Sequence, residues 1–472
     1  MPISDAPQIY HHLITHVVPG PASPTYFLPF FILPAALLIP PSRFSHLQLC
    51  SLFLPLIYGC QIYYLLCHGT FDTLFGDLAL RSFALLADSD PRSTFRRIRF
   101  HNSSQRRGSY QNGSGVTPRS VHQDSTKETA SSGGPVQYWE EPYPAKLADR
   151  VGWVFSLVLS LRFTHWKTGN PSHDKTQPPT TLGRSHWTRH AIATIVQSYL
   201  IMDVASYFVQ FDPYFITSNI HLDSPIQPLS DKSTPNAVHA LQTWIPPRLF
   251  RLSLLGAQVY SAVTLMFFLP TLPALGLNAL HLISDEWSPH TWPVFWGPLA
   301  TVSERGVRGL WGGWWHQIMR NLTTSPARSL ERLLNVRHSS LLDYTFLTVS
   351  AFFFSGILHM GLVPPEPIHS TLSPNTLRLS LAAFFWAQIP AFAIETAVSK
   401  LWPSRVSRGE TLRPLVKVVL VIWTITWLYL TLPLLAVPFK ELGYWKVYPV
   451  PVSLLGGLTG NGWVPWLSFA VI

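Results

Sequence analysis

Seven apolar runs dominate this chain, and their lengths constrain the fold more than any motif does. A helix crosses the hydrocarbon core of a bilayer in roughly 20 mostly apolar residues. Runs near that length lie at 25–40 (short), 46–67, 188–211, 251–282, 340–363, 376–398 and 414–437. The run 251–282 is long and is expected to break at Pro270 and Pro273. Segments 71–87 and 149–163 are short or charged, which suits interfacial or re-entrant helices, and 449–472 is interrupted by Gly456, Gly457, Gly460 and Gly462. The fold class that follows is all-α: a polytopic transmembrane helical protein of about 7–9 spans with interfacial helices.

Composition supports this. Charged residues are 12% and hydrophobic ones 47% of the 472, about half the charged share of a soluble domain. Such a surface needs a lipid bilayer around it. Eighteen Trp and 16 Tyr suit the two membrane interfaces. The net charge of +10 could suggest nucleic acid, but Lys and Arg lie in short stretches between apolar runs rather than on one domain, so no nucleic-acid partner is expected. Cys50, Cys60 and Cys67 fall in or beside one apolar run and show neither a disulfide framework nor a metal-ligand spacing, so no metal is expected. The first 24 residues lack the pattern of a cleavable signal, and the first span is expected to serve for targeting.

The basic stretches set an orientation. Between Pro91 and Arg119 there are seven arginines and no acid, and further clusters lie at 299–337 and 399–417. By the positive-inside tendency these three stretches face the cytosol, and 212–249 and 364–375 face the lumen. The chain divides into N-terminal membrane segments at 1–87, a basic cytosolic loop at 88–148 expected to be disordered, and a membrane-embedded core at 149–472. That loop reads either as a tether or regulatory arm or as a plain spacer.

Ionisable groups inside apolar spans are candidates for function, because lipid penalises them. His359 follows Ser355 and Gly356, small residues that would let a helix or a substrate approach. A neutral imidazole there can take a proton from an alcohol, or can simply bond a neighbouring carbonyl. Asp203, in the middle of 188–211, either lines a tunnel or pairs with a buried donor. Glu395 is explained by an interfacial pair with Lys400.

A second centre is Leu310-Trp311-Gly312-Gly313-Trp314-Trp315-His316-Gln317-Ile318-Met319-Arg320. On a continuous helix, positions 308, 312, 316 and 320 would align Arg308, His316 and Arg320 on one side, with the tryptophans largely on the other. This describes an interfacial helix whose basic face either meets lipid headgroups or grips the phosphates of a cytosolic nucleotide-like cofactor. His281 to Asp285 matches the H-x-x-x-D of soluble acyltransferases, but the companion D-F-G-W-G is missing. Neither a phosphate-binding G-x-x-x-x-G-K-[ST] nor an H-E-x-x-H is present.

Together the two centres resemble the membrane-bound O-acyltransferase superfamily, in its wax-synthase-like branch. The resemblance rests on Trp292 to Gly297, on Trp311 to His316 and on Ser355-Gly356-Ile357-Leu358-His359. It covers 285–365 specifically, with a weaker echo at Ser160 to Trp166. It implies that His359 is the catalytic histidine and that His316 occupies the second signature position, where many relatives have Asn. The family's usual F-W-x-R-W is altered here by Gly312 and Gly313, which touches how coenzyme A is held.

The resemblance further implies that Arg308, Trp311, Trp315, Gln317 and Arg320 bind coenzyme A, with Ser355 and Asp203 along the substrate path. Fungal members of this branch acetylate terpenoid, meroterpenoid and trichothecene alcohols. By that analogy the expected donor is acetyl-CoA, the acceptor a lipophilic alcohol reached from the bilayer, and the location the endoplasmic reticulum. The alternatives are a long-chain wax or sterol ester acyltransferase and, from another class, a transporter lined by His359 and Asp203.

Overall fold

In the computed structural model the described residues are 23–69, 71–100, 138–169 without 161, 162 and 164, 184–226 without 216, 218 and 219, 244–288 without 284–286, 292–365 without 293, 370–401, and 413–465 without 447. The architecture is helical. In chain order come α1 (Pro24–Leu38), α2 (His46–His68), α3 (Thr73–Ser82) running into a wide π turn (Phe83–Asp88), α4 (Pro91–Thr94), and α5 (Leu147–Val158). The core follows with α6 (Arg184–Val209), α7 (Pro247–Ala279), α8 (Ala300–Gly309), a second π turn (Leu310–Trp314), α9 (Arg320–Leu333) and α10 (Leu341–Met360). After these come α11 (Pro374–Trp386), α12 (Gln388–Leu401), α13 (Arg413–Thr431), α14 (Pro433–Glu441) and α15 (Leu454–Leu458).

Among the described residues, six units are long and apolar enough to cross a membrane: α2, α6, α7, α10, the α11–α12 pair and the α13–α14 pair. The apolar α1 is shorter. The protein is therefore an integral membrane protein, with large side chains such as Phe31 and Leu66 turned outward where lipid would cover them. Contrary to expectation, α7 runs on through Pro270 and Pro273. Prolines are tolerated in apolar spans because neighbouring groups and local adjustments re-satisfy the freed backbone.

The 88–148 stretch also departs from expectation at both ends. Arg96–Phe100 and Tyr138–Glu141 pair as antiparallel strands β1 and β2, and β1 pairs on its other edge with β3 (Trp166–Lys167). Arg97 and Arg99 both donate to Glu141, and Arg92 closes on Asp90, so these basic residues build structure as well as mark topology. Residues 101–137, with the Asn102 and Asn112 sequons, lie outside the described residues.

Among the described residues the helices are held by several apolar centres, three of them large. One gathers Leu33, Leu85, Trp153 and Leu358; a second gathers Phe250, Phe352, Phe385, Phe392 and Leu435; a third gathers Trp187, Phe267 and Phe295. Helix α10 gives Leu358 to the first and Phe352 to the second, so it is pinned on two sides near the end that carries His359.

Candidate active site

His359 is the next-to-last residue of α10. Its Nδ1 lies 2.7 Å from the Ser355 carbonyl one turn earlier. A carbonyl only accepts, so Nδ1 carries the proton and Nε2 is left with its lone pair. The imidazole lies over Phe385, centroids 4.0 Å apart and planes 30° apart. Gly356 explains the helix contact: a Cβ there would fall 2.5 Å from the Trp386 indole nitrogen, so the small residue admits α11. Gly361 likewise lets the end of α10 meet the Asp72 and Thr73 backbone, where a Cβ would come within 2.5 Å.

The tryptophan stretch is not the continuous helix that the spacing predicts. Gly306 takes φ +66 inside α8, and Trp315 is extended after the π turn, which ends it. Positions 308, 312, 316 and 320 therefore do not form one face. The cause is a tertiary contact: a Cβ on Gly306 would stand 2.3 Å from a Glu395 carboxylate oxygen, so the backbone turns where only glycine fits. Packing between backbones seals the turn, with Gly297 N–H donating to the Trp314 carbonyl at 2.9 Å.

Glu395 is buried and is not the partner of Lys400. Its Oε1 accepts from the Val307 backbone N–H (2.6 Å) and the Trp423 indole (2.8 Å). Its Oε2 accepts from the Arg308 N–H (3.0 Å) and the Arg308 Nε (3.2 Å). Arg308 thus holds the turn through both its backbone N–H and its guanidinium. Gln317 does similar work, its amide donating to the carbonyls of Trp311 (2.7 Å) and Trp315 (2.6 Å). Arg320, exposed at the start of α9, reaches the Gln317 Oε1 at 3.5 Å.

His316 lies among rings, stacked on Phe295 at 5.6 Å and beside Trp315 at 5.3 Å. Trp315 meets Trp311 at 5.4 Å, and Trp311 packs on Phe352, Phe384 and Phe385. The run of rings Trp315, Trp311 and Phe385 thus joins the two histidines. Asp203 has the bland role: it is 1% exposed, accepts from the Tyr448 hydroxyl (3.0 Å) and the Leu455 N–H (3.0 Å), and so caps α15. Of the two readings, the structure shows the pairing with a buried donor.

Residues 292–386, which contain both histidines and most of the ring contacts between them, match the family model for the membrane bound O-acyl transferase family. The chain is a membrane-bound acyltransferase. It is 24% identical to the acetyltransferase eriL of Hericium erinaceus over 67% of this chain and 74% of that protein. The acetyltransferase nanB of Aspergillus nanangensis is 26% identical over 43% of this chain, and aurG of Calcarisporium arbuscula 24% over 47%. The chain spans about half the length of these last two, 47% and 50%. No solved structure matches it. Acyl transfer of this kind draws on an acyl-CoA donor and an alcohol acceptor, with the acyltransferase itself in the bilayer.

The roles of Glu395, Gln388 and Phe385 emerge only from the tertiary contacts. Gln388 alone carries a sequence signal, a polar side chain in an apolar run.

Proposed function

We propose that the protein is an O-acetyltransferase that moves acetyl from acetyl-CoA to a hydroxyl of a lipophilic secondary metabolite such as a terpenoid or meroterpenoid, with His359 as the general base. The observation that carries the reading is the Nδ1 bond of His359 to the Ser355 carbonyl, which leaves Nε2 as the ring's proton acceptor. The names of the relatives, all acetyltransferases, support the short donor.

The acceptor hydroxyl donates to Nε2, loses its proton as its oxygen attacks the thioester carbonyl, and becomes the ester. The proton on Nε2 then passes to the departing coenzyme A thiolate, and the ring returns to its starting tautomer. A base of this kind contributes typically 10²–10⁴-fold. His316, set among the tryptophans beyond Phe385 and Trp311, orients the thioester or donates to the developing oxyanion. Arg320 meets the donor's phosphates at the rim, while Trp311 and Trp315 wall the acyl path and Ser355 borders the acceptor.

In this reading 149–472 is the acyltransferase core, the basic stretches face the cytosol, and the membrane is that of the endoplasmic reticulum. Asn321 then stays free of glycan.

His359→Ala tests the base. Turnover in membranes is expected to fall by about 10²-fold or more while expression and coenzyme A binding hold; a folded, active variant overturns the reading. In donor competition with a terpenoid alcohol, acetyl-CoA is expected to win over palmitoyl-CoA, and the reverse order moves the protein to wax or sterol ester synthesis.

A further inference from the structure

We propose that Gln388 is a positioning residue for acyl transfer, holding Trp311 and, through the Phe385 ring, the imidazole plane of His359. The inference rests on His359 being the base.

Gln388 opens α12, immediately after the break from α11, and is fully buried at 0% exposure. Every polar atom of its amide is used. Nε2 donates to the Phe384 carbonyl (2.8 Å) and toward the Thr431 hydroxyl (3.4 Å), while Oε1 accepts from the Trp311 indole N–H (3.1 Å). The orientation has no alternative, because an indole N–H only donates and a carbonyl only accepts. The Thr431 hydroxyl spends its own proton on the Trp427 carbonyl (2.8 Å), which leaves its oxygen as acceptor. One neutral amide thus ties α11, α13 and the π turn together.

What it holds leads to the base. Trp311 sits 6.0 Å from Phe384 and 6.4 Å from Phe385, and Phe384 and Phe385 meet edge to face at 5.1 Å. Phe385 then lies 4.0 Å from His359. The imidazole therefore has two constraints, a bond at Nδ1 and a ring against its face. The bond alone permits rocking about the Nδ1–oxygen axis, and the ring face removes that freedom. Filling this buried site for packing needs only Leu or Met. A glutamine there adds a fixed direction for the Trp311 indole, and pre-set geometry at the reacting atoms is a large share of rate: a misplacement of about 1 Å can cost about 10²-fold.

The test uses the full chain in lipid nanodiscs with Gln388→Met, Trp311→Phe, the double variant and His359→Ala. Each single change is expected to lower kcat by about 10-fold, with KM for donor and acceptor little changed. The double variant is expected to be no slower than the slower single, because both remove one bond. Unchanged kcat in folded Gln388→Met, or losses that multiply in the double, overturn the proposal. Trp311→Phe keeps the buried amide in place and the ring nearly so; should Gln388→Met fail to fold, full kcat in Trp311→Phe overturns it equally. The two readings fail separately: an active His359→Ala removes the base, whereas an inactive His359→Ala beside unimpaired Gln388 and Trp311 variants removes only the positioning role.

Discussion

The two histidines stand on backbones of opposite character. His359 ends an ordinary span, capped at its start by Ser340, whose hydroxyl accepts from the Asp343 N–H at 3.1 Å, and its side chain is set by a carbonyl of its own helix. His316 follows a helix that turns at Gly306, widens at Leu310–Trp314 and stops at an extended Trp315. The first needs only local helix geometry and one aromatic neighbour. The second needs a carboxylate from a distant helix, Glu395, to hold Val307 and Arg308 in place. The proposed base is thus supplied by a regular element, while the tryptophan stretch near it is shaped by an irregular one held by tertiary bonds.

If this contrast is right, the largest effect comes from Glu395→Ala. Two backbone N–H groups and an indole lose their acceptor, and each buried donor left unsatisfied costs about 1–3 kcal/mol, besides the lost pairing with the partly exposed Arg308. Thermal unfolding in detergent should show the loss, together with collapse of activity. Wild-type stability in this variant would mean that the turn holds itself, and the contrast would vanish.

His316→Ala comes next. Loss of a donor to a developing oxyanion costs about 10²-fold in kcat, and His316→Asn should retain more activity, since an amide still donates. Equal losses in both variants would leave His316 as a packing residue among the tryptophans.

The smallest effect is on pH, in the hairpin that joins the two stretches. Burial first, and then the neighbouring Asp343 carboxylate, push the Glu331 carboxyl up to about 7, with His338 and Arg328 opposing. A raised carboxyl favours the protonated folded form. Its contribution is full below the ordinary value near 4.5, declines as pH rises, and is lost above about 7. Glu331→Gln should flatten the fall in melting temperature between pH 5 and 7, and an unchanged slope would mean that this carboxyl does not report on the hairpin.

The same contrast explains what could be read from the sequence. Spans are long apolar runs, and the six described units long and apolar enough to cross all fall on runs the sequence marks, because hydrophobic length needs no knowledge of partners. His359 was found by the rule that lipid penalises polar groups. The face through Arg308, His316 and Arg320 was lost because helical periodicity holds only while φ stays helical, and Gly306 leaves that region on account of a side chain 89 positions away. Asp203 and Glu395 each carried the correct signal of a buried acid, yet their partners, Tyr448 and the 307–308 backbone, are remote in sequence. The π turn has no sequence mark beyond Gly312 and Gly313.

The ion pair between Arg251 and Asp212 has a consequence for how the chain is built into the membrane. Both side chains are almost fully buried, at 1% and 2% exposure, and bond through Nε (2.6 Å) and Nη2 (2.9 Å). Arg251 also gathers the carbonyls of His221, Leu222 and Ser224. Before α6 and the loop after it are in place, α7 has nothing to neutralise its guanidinium except water at the bilayer edge. The two spans and the folded-back loop are therefore expected to mature as one unit during biogenesis. A chain interrupted between them exposes a charge, and cellular quality control can recognise it before any acyl group is moved.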